Sequence, residues 1–276
     1  VETRVMTNSA SVLASDMDGT FIPLDGSDEN RRDLQVLSEE LTCRRTELLY
    51  VTGRHFELAM EAVRSHQLPV PAWLICDVGT SIYRHLDGYS FQVEDAYWGH
   101  LSEIVGPLGT DQLRQLFARI DGLVLQPPEK QGRFKLSYDC DVQRLSELTD
   151  RVMETLGELH APYRVIPSID PFTGGGLIDL LPRGVSKAYA LEWWVEQQDR
   201  PAEAIMFAGD SGNDLAALSA GYRSIVVANA RSTVIDQVAA AHQEAGWHDR
   251  LFLATKPATS GVLEGVRYFR ERNGAE

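Results

Sequence analysis

Short apolar runs alternate with amphipathic stretches along the first third of the chain. Positions 11–15 read Ser-Val-Leu-Ala-Ser, a run that breaks off at Asp16-Met17-Asp18-Gly19-Thr20. Apolar on both faces and cut short by polar residues, it predicts a central parallel strand opening into a functional loop. Across 29–41, Leu34, Leu37 and Leu41 keep the spacing of an amphipathic helix. A second strand is predicted over 48–51, stopping at Thr52-Gly53-Arg54, and a second helix over 56–66. A third strand, 73–76, leads into Asp77-Val78-Gly79-Thr80. This alternation predicts an α/β fold, a doubly wound, mostly parallel Rossmann-like core.

From about Tyr83 to Ile178 the pattern changes. Helices are predicted around 111–120 and 142–159, and between them Arg133-Phe134-Lys135-Leu136-Ser137-Tyr138 alternates. Phe134, Leu136 and Tyr138 take one face and Arg133, Lys135 and Ser137 the other, as in a half-exposed antiparallel strand. The core pattern resumes at Ile178, with a helix over 186–197, strands over 204–208 and 225–227, and a closing helix over 261–270. The expected division is a core of 1–84 and 178–276 with an inserted α+β cap domain at 85–177.

Charge narrows the function. The 276 residues carry 40 Asp and Glu against 26 Lys and Arg, a formal charge of −14. With no clustered Lys and Arg run, the chain is not expected to bind nucleic acid. An anionic substrate would need a local feature that inverts the sign, which a bound metal supplies. Three cysteines lie far apart, which argues against a disulfide framework or a zinc site and for a reducing compartment. No apolar run is long enough to span a bilayer. Without a charged-then-apolar opening segment, the expected location is cytoplasmic.

Four places carry candidate chemistry, each after a strand or at a helix start. Asp16 and Asp18 lie two apart. One carboxylate can attack a phosphoryl group and a second can move protons to the leaving oxygen and from water; an Asp-rich turn cap is the plainer alternative. Asp210 and Asp214, in Gly209-Asp210-Ser211-Gly212-Asn213-Asp214, are hard oxygen donors of the kind Mg²⁺ takes, or a calcium-like loop or helix cap. Thr52, followed by Gly53, can hold a phosphate oxygen or cap the helix before Phe56. Lys187, early in a helix, can offset charge on phosphoryl oxygens or simply face solvent.

Taken together and in this order, these motifs resemble the haloacid dehalogenase superfamily of phosphatases. The resemblance implies Asp16 as nucleophile, Asp18 as general acid/base, and Thr52 and Lys187 as ligands of the phosphoryl group. It also implies Mg²⁺ held by Asp16, the Asp18 carbonyl and Asp210, with Asp214 in support. Gly53, Arg54 and Asn213 fall in the same motifs as substrate-binding candidates. Further segments, Val78-Gly79-Thr80-Ser81-Ile82-Tyr83, Lys135-Leu136-Ser137-Tyr138, Asp179-Leu180-Leu181-Pro182 and Ser260-Gly261-Val262-Leu263-Glu264, are similar to the sucrose-6-phosphate phosphatase family. The chain departs from that family at Gly19, where Asn is usual, and at Gly174-Gly175-Gly176-Leu177, where a Gly-Lys-Asp segment is common.

The resemblance implies a Mg²⁺-dependent phosphatase of a sugar phosphate, sucrose 6-phosphate foremost, with other compatible-solute precursors such as mannosyl- or glucosyl-3-phosphoglycerate as alternatives. A phosphotransferase like the phosphomannomutases and a non-catalytic partner docked on a sugar-phosphate synthase are the remaining readings. A lid over the sheet edge keeps bulk water from the transfer step and selects the leaving group. Lys135 and Ser137 are its candidate inner-face residues, with Arg133 beside them. Tyr97 and Trp98 read as packing residues with sugar stacking as the alternative, and His55, His66 and His160 lack ligand spacing.

Overall fold

The computed structural model describes residues 11–170 and 173–273. The ends of the expected core span, 1–10 and 274–276, and residues 171 and 172 of the expected cap lie outside the described residues. The chain opens with β1 (Val12–Ser15), α1 (Asp28–Cys43), β2 (Glu47–Val51), α2 (Phe56–Ser65) and β3 (Trp73–Cys76), followed by the hairpin β4 (Ser81–Asp87) and β5 (Ser90–Val93). Next come α3 (Asp95–Val105), α4 (Thr110–Phe117), β6 (Val124–Leu125), β7 (Leu136–Cys140), α5 (Leu145–Glu158), β8 (Tyr163–Ile169) and β9 (Gly176–Pro182). The last part holds α6 (Lys187–Gln197), β10 (Ile205–Gly209), α7 (Leu215–Leu218), β11 (Arg223–Val226), α8 (Ser232–Glu244), β12 (Leu251–Leu253) and α9 (Ala258–Asn273).

Two sheets result. The larger runs β12-β11-β10-β1-β2-β3-β4-β5, parallel as far as β3 and antiparallel from there to β5. The smaller, antiparallel sheet runs β6-β7-β9-β8. β1 is buried at every position because helices cover both faces. Val12 and Ala14 join a cluster with Leu191 and Trp194 of α6, Leu218 of α7 and Val238 of α8. Leu13 points the other way, toward Leu34 and Leu37 of α1, Met60 and Val63 of α2, and Val266 and Phe269 of α9. That three-layer burial is what makes the strand a continuous apolar run.

The sheets also depart from the expected pattern. The large sheet continues past position 84, since β4 pairs antiparallel with β3 and turns through Gly88, at φ +50°, into β5. The strand expected to resume the core at Ile178 pairs instead with β7 and β8 in the small sheet. Its Ile178 and Leu180 pack with Phe117, Tyr138, Leu148 and Val152 under the inserted helices, while Leu181 is buried as well. Burial of both faces gives β9 the look of a core strand. α3 lies where no helix was expected, although Tyr97, Leu101 and Val105, four apart, are its buried stripe. No helix among the described residues is long and apolar enough to cross a membrane.

Candidate active site

β1 sits between β10 and β2, with Ser15 opposite both Ala208 and Tyr50. The turns that follow these three strands are therefore neighbours at the carboxyl edge of the sheet, where open α/β sheets place their ligands. Asp16 is anchored there by its own amide, which donates to the Ala208 carbonyl at 2.9 Å. Lys187 enters from the first position of α6, whose Ser186 hydroxyl accepts from the Tyr189 amide at the helix N-cap.

Lys187 is the hub. Its ammonium donates to Asp16 Oδ1 at 2.5 Å, Asp214 Oδ1 at 2.8 Å and Asn213 Oδ1 at 3.0 Å, and the side chain is 1% exposed. Burial works against its charge, but the Asp16 and Asp214 carboxylates prevail and hold it above the ordinary lysine range. Asp214 is held in turn by Ser211, whose hydroxyl and amide donate to Oδ2 at 2.8 and 3.2 Å. Asp210 accepts from the Thr20 hydroxyl at 3.1 Å and from Asn229 Nδ2 at 3.4 Å, and Asn229 also donates to the Gly19 carbonyl at 2.8 Å.

Carboxylate oxygens of Asp16, Asp210 and Asp214 lie within 4.8 Å of one another. Burial pushes the Asp16 carboxyl up to about 8; Lys187 opposes this, while Asp214 and Asp210 reinforce it. Burial, with Asp214, likewise raises Asp210. With all three ionised, three carboxylates face one ammonium, a surplus of 3 − 1 = 2 negative charges that burial and mutual repulsion resist by raising Asp16 and Asp210. Hard oxygen donors with that surplus fit a divalent cation of the Mg²⁺ type. Gly19, at φ +75°, gives the cluster room, since a Cβ there would stand 2.6 Å from Asp210 Oδ2. The departure at this position is thus matched to the place Asp210 takes.

Asp18 stands apart from the acidic cluster. Its half-exposed carboxylate forms a two-pronged pair with Arg54, accepting from Nε at 2.8 Å and from Nη2 at 2.6 Å. That fork raises the Arg54 guanidinium further. Thr52 is fully buried, and its hydroxyl accepts from the Arg54 amide at 3.1 Å, leaving its own proton free to donate. It does not cap α2, whose N-cap is His55.

The loop after β3 ties these parts together. The Asp77 amide donates to the Arg54 carbonyl and the Val78 amide to that of Thr52, while the Gly79 carbonyl accepts from Tyr97 Oη at 2.6 Å. Gly79, at φ +98°, packs directly on the backbone of Ser186 and Lys187, where a Cβ would collide with the Ser186 carbonyl.

In the small sheet, Ser137 and Lys135 both turn to Asp179. Ser137 Oγ donates to Asp179 Oδ1 at 2.5 Å, and Lys135 Nζ lies 3.8 Å from the same oxygen. Ser137 is buried, whereas alternation alone placed it on an exposed face. Arg133 stacks over the Trp98 ring at 4.8 Å. The expected site residues thus form an inner group of Asp16, Lys187, Asn213, Asp214 and Asp210, an Asp18–Arg54 pair beside Thr52 and Gly53, and a separate Lys135–Ser137 group. Asn229, Ser211 and Asp179 were not expected. Ser211 stands inside the Gly209–Asp214 motif and Asp179 in a segment similar to the family, though neither was assigned a role, and Asn229 is a polar residue just past the apolar run 225–228.

A fixed carboxylate beside an ammonium and a divalent-cation cluster is suited to attack on phosphorus. The family model for sucrose-6F-phosphate phosphohydrolase matches residues 9–270. A HAD-like hydrolase of Nitrosococcus oceani is 34% identical over 271 residues, spanning 94% of this chain and 71% of the relative. The mannosylfructose-phosphate phosphatase of Agrobacterium fabrum is 27% identical over 263 residues, 94% of this chain and 96% of its own. Among solved structures, the sucrose-phosphatase of Synechocystis in complex with sucrose and phosphate superposes with a TM-score of 0.70 at 27% identity, covering 94% of this chain and 98% of that one. The chain belongs to the sucrose-6F-phosphate phosphohydrolase family and is a sugar-phosphate phosphatase of the haloacid dehalogenase superfamily.

Proposed function

We propose that this chain is a Mg²⁺-dependent phosphatase that moves the phosphoryl group of a glycoside phosphate, sucrose 6-phosphate first among them, to Asp16 and then to water. The observation that carries the proposal is the buried contact of Lys187 with both Asp16 and Asp214, beside a cluster that, fully ionised, is short of two positive charges.

In the first step an Asp16 oxygen bonds to phosphorus as the bond to the sugar oxygen breaks, and Asp18 gives its proton to that oxygen. In the second step Asp18 takes a proton from water, the water oxygen bonds to phosphorus, and the Asp16 carboxylate leaves. The Arg54 fork positions the Asp18 carboxylate, which suits its base role; swinging out of the fork frees it for the acid role. Thr52 and the backbone at Gly53 bind phosphoryl oxygens opposite Lys187. Asp16, Asp210, Asp214 and the Asp18 carbonyl would hold Mg²⁺, which supplies charge neutralisation on the phosphoryl oxygens.

The unit built on the small sheet, between β5 and α6, acts as the lid, and its Lys135, Ser137 and Asp179 face the leaving group. Sucrose 6-phosphate is favoured by the family match and by the sucrose bound to the Synechocystis relative. Mannosylfructose phosphate is the second reading, favoured by a relative matched over nearly its full length. Phosphate release from a panel of sugar phosphates, with and without Mg²⁺, tests both. Preference for one of these two disaccharide phosphates with an absolute Mg²⁺ requirement is expected. Metal-independent release, or none from any sugar phosphate, would overturn the proposal.

A further inference from the structure

The loop after β3 takes a backbone shape that its residues do not adopt on their own. Asp77, Val78 and Gly79 take φ of +53°, +58° and +98° in succession. Glycine holds such angles freely, but a β-branched residue there is an outlier that persists only where surrounding structure imposes it. The bend also buries Asp77, whose Oδ1 has no hydrogen-bond partner among the described residues. Strained segments of this kind cluster at functional sites, and this one touches both walls of the phosphoryl site. On one side the Val78 amide donates to the Thr52 carbonyl at 3.3 Å, and a Cβ at Gly53 would stand 3.8 Å from Val78 Cγ2. On the other, Gly79 packs on the backbone of Ser186 and Lys187. The loop is a wedge between Thr52 and Lys187.

A brace on the wedge comes from outside the large sheet. Tyr97, fully buried on α3, donates its hydroxyl to the Gly79 carbonyl at 2.6 Å. Burial pushes that hydroxyl far above the ordinary tyrosine range, so it stays protonated and donates. The Tyr97 ring centre lies 4.8 Å from that of Trp193 on α6. His100, one turn further along α3, hydrogen-bonds the Tyr189 hydroxyl at 2.5 Å. The first helix of the inserted unit is therefore seated on the helix that begins with Lys187. Gly79 is itself buried, so water does not replace the phenol, and loss of the hydroxyl leaves a desolvated acceptor. A loop freed of that bond can relax toward ordinary φ, and the gap it sets between Thr52 and Lys187 changes with it.

We propose that Tyr97 is a positioning residue of the phosphoryl site, its hydroxyl locking the 77–79 loop in the shape that sets the spacing between Thr52 and Lys187. The proposal rests on the sugar-phosphatase function above, in which those two residues bind phosphoryl oxygens. Every substrate brings the same phosphoryl group, so loss of the hydroxyl is felt equally whatever the leaving group.

The test compares wild type, Tyr97→Phe and the double variant Tyr97→Phe/Val78→Gly, each with Mg²⁺. The probe is inorganic phosphate, read as a competitor of p-nitrophenyl phosphate hydrolysis. Alongside it are measured Tm and kcat/KM on the aryl ester and on the sugar phosphate preferred in the panel. Tyr97→Phe should raise the phosphate inhibition constant about tenfold, the effect of one hydrogen bond lost in a buried setting, and lower kcat/KM by a similar factor on both esters. Glycine at 78 holds the same φ without strain, so the double variant should regain most of the phosphate affinity. An unchanged inhibition constant in Tyr97→Phe, even with a lowered Tm, would reduce the hydroxyl to packing and overturn the proposal while leaving the sugar-phosphatase function standing. A loss confined to the sugar phosphate, or a double variant that binds phosphate no better than Tyr97→Phe, would do the same. A wild type that neither hydrolyses phosphate esters nor binds phosphate would remove both.

Discussion

Replacing Lys187 with methionine removes the ammonium while keeping the length of the stem. In the native site that ammonium is within 3.0 Å of oxygens of Asp16, Asn213 and Asp214, and it is 1% exposed. Removing one partner of a buried ion pair costs about 3–5 kcal/mol, because the remaining charge stays desolvated. The cost should depend on pH with a definite sign. Asp16 has an ordinary value of 3.8 and a folded value of about 8, so in metal-free protein its burial penalty is absent below 3.8 and grows as pH rises toward 8. Without Lys187 the opposing attraction is lost and the folded value rises further, so the Asp16 penalty keeps growing above pH 8, where in wild type it has levelled off. At about pH 4 the difference should shrink or reverse, since Asp16 is then protonated and offers the wild-type ammonium no charge. Urea unfolding in chelator, at about pH 4 and about pH 9.5, reads this directly. The account predicts a loss of about 3–5 kcal/mol at the higher pH and little or none at the lower. A pH-independent difference, or one under about 1 kcal/mol at the higher pH, would refute the view that Lys187 holds the buried carboxylates in place. With Mg²⁺ present, kcat should fall by about 10²–10³, as when one preorganised donor to a transition state is lost.

Other substitutions probe separate parts of the site. Asp16→Asn should abolish phosphate release yet raise the metal-free Tm at about pH 8, since it removes a carboxyl whose burial penalises the folded state there; wild-type turnover or a lowered Tm would count against the assignment. Arg54→Ala should leave stability within about 1 kcal/mol, because the Asp18 pair is half-exposed. Its kcat should fall through the second, base-dependent step, seen as phosphoenzyme build-up; an unchanged burst would show that Arg54 does not act through Asp18. Gly79→Ala should destabilise by about 2–4 kcal/mol, combining a positive φ with a collision against the Ser186 backbone. A neutral Tm there would mean that the loop does not brace α6.

The inner site was legible because its residues lie in loops that directly end strands. Asp16, Thr52 and Asp210 each follow an apolar run, and parallel pairing of β10, β1 and β2 brings those run-ends together. Lys187 was legible by order among the motifs rather than by any local pattern. Asp179 was hidden inside β9, a strand whose burial on both faces made it look like the core resuming. Asp77 was visible only as a loop residue, since its orphaned oxygen arises from a strained backbone that sequence does not display. Thr20 and Asp210 meet across 190 positions, a contact set by tertiary convergence alone. Alternation put Leu136 and Tyr138 on the face opposite Ser137, but the strand starts at Leu136 rather than Arg133 and runs on to Cys140, and the burial of Ser137 came from Asp179 across the ladder.

The central claim is that Asp16 carries the phosphoryl group, and the phosphoenzyme itself is the most direct test. The Asp18→Asn variant, which lacks the base of the water-dependent step, is mixed with Mg²⁺ and p-nitrophenyl phosphate, whose leaving group departs without a proton, then quenched in acid and mapped by peptide mass. The account predicts one phosphoryl group on the peptide that contains Asp16, removed when the same protein also carries Asp16→Asn. Phosphate release at wild-type rate with no modified peptide, or modification elsewhere, would contradict it.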